Sequence, residues 1–213
     1  MEMIQEPLLD IRLSGTGLSK VFNRRSIFRD ITFQLSAGQT LLITGSNGAG
    51  KSTLLKVIAG ILTPSSGTVS IMDADIPQTV YRAIGFVSPY LNLYDEFSPR
   101  ENLFFAMSAR SRQVAPDAVD RILDRVGLGR FKDVPSRVFS SGMKQRLKYA
   151  FSLIHEPPIL LLDEPTSNLD EEGKGFVRDL MARQVAKGIL IVATNEQTDV
   201  SRYDHSINLD REG

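Results

Sequence analysis

Short apolar runs separated by turn residues open the chain. Residues 31–35 set Ile, Phe and Leu between polar neighbours, Ser36-Ala37-Gly38 interrupts them, and an apolar run over 40–44 leads into a glycine-rich loop. Residues 52–59 carry good helix formers and stop at Gly60, and Pro64 and Gly67 frame a turn before a strand over 68–72. Strand, loop, helix and strand in that order predict a parallel α/β sheet.

In the middle of the chain the period becomes helical. Ser98-Pro99-Arg100-Glu101 offers an N-cap, a proline at the first helical position and a capping-box glutamate, predicting a helix through about residue 109. A second helix starts at Pro116, with Val119, Ile122, Leu123 and Val126 on one face and Gly127 as its stop. These two read as an inserted all-helical arm. A third helix begins at Ser140, carries Leu147, Ala150, Phe151 and Ile154 at helical spacing, and ends at Pro157-Pro158. The β/α rhythm then returns as a buried strand over 159–162, a helix from about 171 to 187 closed by Gly188, and a strand over 189–193.

Composition narrows the function classes. A chain of 213 residues with 42% hydrophobic and 23% charged residues suits one self-folding domain and excludes a disordered or fibrous one. Lys plus Arg and Asp plus Glu each total 25, so there is no overall basic field and no nucleic-acid partner is expected. The absence of cysteine removes disulfides, thiolate zinc sites and thiol nucleophiles, which suits a reducing compartment, and two histidines argue against a His-based metal centre. Met1-Glu2-Met3-Ile4-Gln5-Glu6-Pro7 is acidic and broken by proline, unlike a secretion signal. The apolar run over 159–162 stops at Asp163, far short of the roughly 20 residues a spanning helix needs. The expectation is a cytoplasmic protein that serves any membrane from outside the bilayer.

Gly45-Ser46-Asn47-Gly48-Ala49-Gly50-Lys51-Ser52, followed by Thr53, fits the phosphate-loop pattern of glycine, four residues, then Gly-Lys-Ser/Thr, and it sits between a strand and a helix as that pattern requires. Its glycines let successive N–H groups turn toward phosphate oxygens, and the following helix adds its positive end. Lys51 is expected to reach the β- and γ-phosphates and Ser52 to ligate Mg²⁺. Gly15-Thr16-Gly17 is no dinucleotide fingerprint, because Lys20 stands where the third glycine belongs. Asp163 and Glu164, delivered by the strand over 159–162 to the edge of a parallel sheet, fit support of Mg²⁺ and polarisation of an attacking water respectively.

With these pieces the sequence resembles the ATP-binding cassette ATPases over nearly its whole length. The resemblance rests on the phosphate loop at 45–53, on Phe139-Ser140-Ser141-Gly142-Met143-Lys144-Gln145-Arg146 as a variant of the Leu-Ser-Gly-Gly-Gln signature, on Asp163-Glu164, and on Ser167-Asn168-Leu169-Asp170 as the D-loop. It implies a P-loop NTPase fold with a RecA-like parallel-sheet core, an N-terminal antiparallel β subdomain and an inserted α-helical subdomain. The whole chain is then one ATPase domain, with its core at 1–88 and 157–213 and its arm at about 89–156. It also implies ATP and Mg²⁺ as ligands, with each nucleotide held between the phosphate loop of one subunit and the signature of another in a head-to-tail dimer. Ser140, Ser141 and Gly142 at a helix N-terminus are a physically sensible second anion site. Asp170 belongs to the nucleotide-facing set by the same resemblance. Phe22 occupies the place of the aromatic that stacks on adenine, and as a lone Phe in a β-rich run it is equally readable as core.

Two positions depart from the family. Pro89 stands where a glutamine usually helps hold Mg²⁺, with Ser88 or Asn92 as the available substitutes, and Asn195 stands where the family has its switch histidine. An amide donates a hydrogen bond but takes up no proton, so hydrolysis is expected to be slowed unless both substitutions are neutral. The function implied is the ATPase subunit of a transporter, as a homodimer or a heterodimer with another such ATPase, peripheral on the inner face of the membrane and working on a separate transmembrane permease. Its brevity most resembles the compact export-type subunits, including those of haem export in cytochrome c maturation. The alternatives are a switch that dimerises on ATP and hydrolyses it poorly, and a soluble non-transport member of the family.

Overall fold

The computed structural model describes residues 10–110, 112–167, 169–195, 200 and 202–210, without the side chain of Tyr81. The opening heptapeptide and Asn168 of the D-loop stretch lie outside the described residues. Two sheets organise the rest. β1 (Ile11–Phe22), β2 (Arg25–Ser36), β4 (Ser66–Asp73) and β5 (Ile76–Pro77) form an antiparallel sheet in the order β2-β1-β4-β5. β3 (Thr40–Thr44), β6 (Ile84–Val87), β7 (Ile159–Asp163), β8 (Ile189–Ala193) and β9 (His205–Asn208) form a parallel one in the order β6-β7-β8-β3-β9.

Every residue of β3, β7 and β8 is buried, which is why these strands read as unbroken apolar runs. Alternate side chains serve opposite faces. Leu41, Ile43, Leu161 and Ile191 pack with Leu54 and Ile58 of α1 (Lys51–Ile58) and with Leu13 and Phe28 of the antiparallel sheet. Leu42, Leu162 and Val192 pack on the other side with Val177 and Leu180 of α6 (Glu171–Val185). That second cluster continues into Leu103 of α3 (Pro99–Ala109), Leu123 of α4 (Pro116–Arg125) and Leu147 of α5 (Ser141–Leu153), so the helical arm shares its core with one face of the parallel sheet.

Local chemistry sets the helix ends. Ser98 and Glu101 make the reciprocal capping box at the start of α3. Ser140 is the N-cap of α5 rather than its first helical residue, because its backbone is extended and its hydroxyl accepts from the Met143 N–H at 3.3 Å. α6 ends at Val185, two residues short of the expected 187. There Gln184 folds its amide onto the carbonyls of Pro157, Pro158 and Ile189, and the Gly188 N–H closes on Gln184 O at 2.8 Å. The full length of β1, the short β5 and α2 (Val80–Ala83), and β9 were not legible in the sequence pattern.

Candidate nucleotide site

The C-terminal ends of β3, β6, β7 and β8 share one edge of the parallel sheet, and the candidate residues gather there. In the loop after β3, Gly48 and Gly50 hold φ of 85° and 106°, and a Cβ on Gly50 would stand 2.5 Å from Ile27 Cγ2. The first α1 hydrogen bond runs from Leu54 N to Gly50 O at 2.9 Å. The N–H groups of Lys51, Ser52 and Thr53 therefore have no intrahelical acceptor and present the positive end of the helix. Ala49 N donates to Ser46 O at 3.1 Å and bends the loop.

Lys51 is only 6% exposed. Its Nζ donates to Gly45 O at 2.8 Å, to Ser46 O at 3.3 Å and to Asn195 Oδ1, and Glu164 Oε1 lies 3.6 Å away. An ammonium carried on α1 is thus brought to the general-base candidate at the end of β7. Glu164 has a positive φ of 47°, donates its N–H to Ala193 O at 2.8 Å and accepts from Thr194 Oγ1 at 3.4 Å. The next strand therefore fixes its backbone and orients its carboxylate.

Asp163 is buried, with Ser52 Oγ at 3.0 Å from Oδ1 and Ser88 Oγ at 3.5 Å from Oδ2. Burial pushes its carboxyl above the usual range, with the Glu164 charge adding to this and the two hydroxyls opposing it. Of the two candidates near Pro89, Ser88 reaches the acid, while Asn92 lines a cavity of about 550 Å³ with Pro89, Lys144 and Lys148. Among the described residues no group of three or more His, Cys, Asp or Glu could hold a metal ion. Ser52, Ser88 and Asp163 nevertheless form an all-oxygen set around a buried carboxylate, the donor chemistry that suits Mg²⁺ completed by phosphate oxygens and water.

The other expected residues fall in four places. Asn195, just past β8, joins the phosphate loop, its amide nitrogen donating to Asn47 Oδ1 while its oxygen accepts from Lys51. Phe22 is 43% exposed at the end of β1 with Lys20 Nζ 4.7 Å from its ring centre, so it is not core. Ser140 caps α5 and Ser141 and Gly142 open it, and a Cβ on Gly142 would meet nothing within 4 Å. Among the described residues no hydrogen bond or ion pair links 140–142 to the loop at 45–53. Asp170 caps α6, accepting from Gly173 N at 2.8 Å.

Two contacts were not foreseen. Asp210, beyond β9, accepts from the Ser46 backbone and hydroxyl, and Tyr149 of α5 donates to Pro165 O at 2.8 Å, holding the turn after Glu164. No local pattern signals either, since each partner is distant in sequence.

A family model described as ABC transporter matches residues 28–167. The chain belongs to the ABC transporter family. Over 204 residues this ABC protein is 35% identical to the cytochrome c biogenesis ATP-binding export protein CcmA of Methylococcus capsulatus, covering 94% of this chain and 99% of that one. It is 33% identical over 186 residues to the Nod factor export ATP-binding protein I of Bradyrhizobium diazoefficiens, covering 84% of this chain and 60% of that one. Its fold matches, with a TM-score of 0.80 at 21% identity over 92% of this chain and 93% of the other, a solved ATP-binding cassette, dimeric in a post-hydrolysis state with ADP and phosphate. The chain is an ATP-binding cassette ATPase that powers transport, on a P-loop NTPase fold. No helix among the described residues is long and apolar enough to cross a membrane.

Proposed function

We propose that this ATPase binds ATP with Mg²⁺ at residues 45–53, pairs head to tail with a second ABC ATPase, and drives export through a separate membrane-spanning permease from the cytoplasmic side. The observation that carries this reading is the convergence of Lys51 and Glu164 at 3.6 Å and of Ser52 and Asp163 at 3.0 Å on one strand edge. Lys51 and the orphan N–H groups bind the β- and γ-phosphates, Ser52 and Asp163 hold Mg²⁺ with Ser88 beside them, and Glu164 accepts the proton of the attacking water. Bound Mg²⁺ supplies charge neutralisation on the phosphates. Phe22 offers its exposed ring face to the adenine.

Among the described residues the N-terminus of α5 at Ser140, Ser141 and Gly142 has no hydrogen bond or ion pair to the loop of its own chain, which favours its completing the site of a partner, either a second copy or a different ABC ATPase. Ser167 and Asp170 belong to that shared boundary. In this reading residues 1–213 are one functional unit, with 89–156 as the arm that carries the signature. Asn195 contacts Lys51 as a neutral amide and takes up no proton, so turnover is slower than a histidine at that position would give. Calorimetry with Mg-ATP tests the binding half, because Lys51→Ala removes the cation the loop presents and is expected to abolish most affinity. Size-exclusion chromatography tests the pairing half, with Glu164→Gln expected to accumulate as a dimer in Mg-ATP. Undiminished affinity in the first variant, or a monomer in the second with ATP bound, contradicts the proposal.

A further inference from the structure

β6 is an edge strand of the parallel sheet, so among the described residues one side of its backbone has no neighbouring strand. Two carbonyls of β6 receive side chains from a single helical face. Ser152 of α5 donates to Phe86 O at 2.7 Å, and the Nε2 of His155, just past the helix end, lies 3.1 Å from Ile84 O. One turn before Ser152, Lys148 extends the same series beyond the strand and donates its ammonium to Pro89 O at 2.6 Å. Positions 148, 152 and 155 are spaced four and three apart, as neighbours on a helix face are. The helix that begins at the signature serine is therefore stitched along the strand that ends beside Asp163.

The Lys148 contact differs from the other two because it holds a turn and not the strand. Pro89 has no N–H, so within that peptide only its carbonyl can be anchored, and its ring stiffens the turn. The Tyr90 N–H donates back to Ser88 Oγ at 3.3 Å, and the same hydroxyl faces Asp163 Oδ2 at 3.5 Å. Lys144, one turn earlier on the helix, pairs with Asp95 at 2.8 Å, whereas the contact of Lys148 is with a neutral carbonyl. Partial burial and the Lys144 charge lower the Lys148 pKa, consistent with an ammonium drawn against the turn rather than out into water.

We propose that Lys148 is a positioning residue for hydrolysis: by holding the Pro89 carbonyl it fixes the turn that aims the Ser88 hydroxyl at Asp163, and it ties the signature helix to the Mg²⁺ end of the site. This rests on the Mg-ATP reading given above. It gives the departure at position 89 a physical role, since the proline and the lysine together hold the turn that carries the Ser88 hydroxyl beside Asp163.

Lys148→Met keeps the length of the side chain but donates no hydrogen bond, and Lys148→Arg restores a donor. Amide hydrogen exchange over residues 88–94, measured on the full chain without nucleotide, is expected to quicken at Tyr90 by roughly tenfold in Lys148→Met, the loss of about one hydrogen bond, and to return toward wild type in Lys148→Arg. In phosphate release, the Mg²⁺ concentration for half-maximal rate is expected to rise about three- to tenfold in Lys148→Met while KM for ATP changes less than twofold, and Lys148→Arg is expected to recover. Unchanged exchange together with an unchanged Mg²⁺ requirement overturns the role of Lys148 and leaves the ATPase reading intact. If the wild-type chain releases no phosphate, the hydrolysis half of the Mg-ATP reading fails, and unchanged exchange alone then refutes the Lys148 clamp.

Discussion

The carboxylate of Asp210 accepts from the backbone N–H of Ser46 at 2.9 Å and from its hydroxyl at 2.8 Å, so a residue 164 positions along the chain holds the first turn of the phosphate loop. β9 brings it there by pairing with β3, and Leu209 N continues the ladder onto Thr44 O at 2.9 Å. The relation is more than local, because Ser46 O and Gly45 O on the same turn also receive Lys51 Nζ.

Asp210→Ala removes these acceptors and is expected to raise KM for ATP roughly fivefold, the equivalent of about 1 kcal/mol for charge-assisted hydrogen bonds at an exposed site. An opposing effect exists, since the substitution also removes a negative charge near bound phosphates. At about 0.15 M salt that term is screened over roughly 8 Å, and the loss of positioning dominates. Steady-state kinetics at that ionic strength decide it, and a lower KM in the variant would show that the charge matters more than the clamp.

Asn195→His should raise the steady-state rate at saturating Mg-ATP with little change in ATP affinity. A group that takes up charge as charge shifts in the transition state acts on kcat, whereas one equally good in the ground state acts on KM. Pro89→Gln and the double variant separate the two departures. Brisk wild-type turnover that none of the three improves would show both substitutions to be neutral.

His155 is 5% exposed, and its pKa is pushed down to about 4, first by burial and then by the charge of Arg110, with Arg112 adding a smaller push and the Ile84 carbonyl opposing them. Its folded pKa lies below the unfolded value, so the unfolded chain binds more protons between them. The stability it confers is complete above about pH 6.5 and is lost as the pH falls toward 4, by up to about 3 kcal/mol. Asp163, shifted upward, contributes with the opposite sign in wild type and variant alike. Denaturant unfolding of wild type and His155→Gln should therefore diverge in slope across that window. Parallel profiles would mean that His155 is solvated enough to titrate normally.

What could be read from sequence was what is encoded locally. Ser98 with Glu101, and Ser140 before α5, are short-range caps whose partners lie three residues away. The run at 159–162 announces a strand buried on both faces because nothing polar interrupts it. β9 gave no such signal, since His205–Asn208 is exposed to half-buried and exists as a strand through pairing with β3. The choice of Ser88 over Asn92 and the reach of Asp210 to Ser46 depend on how distant strand ends are assembled, which no window of sequence contains. For Phe22 the sequence left core and adenine platform equally open, and its exposure excludes the core.

Glu164 stands 3.6 Å from Lys51 just past β7, and the proposed mechanism has it accept the proton of the attacking water. Steady-state phosphate release at saturating Mg-ATP, compared between wild type and Glu164→Gln, tests it directly. The amide keeps the shape but cannot take the proton, and removal of a general base is expected to lower the rate by about a hundredfold or more with KM little changed. Equal rates in the two proteins would contradict it.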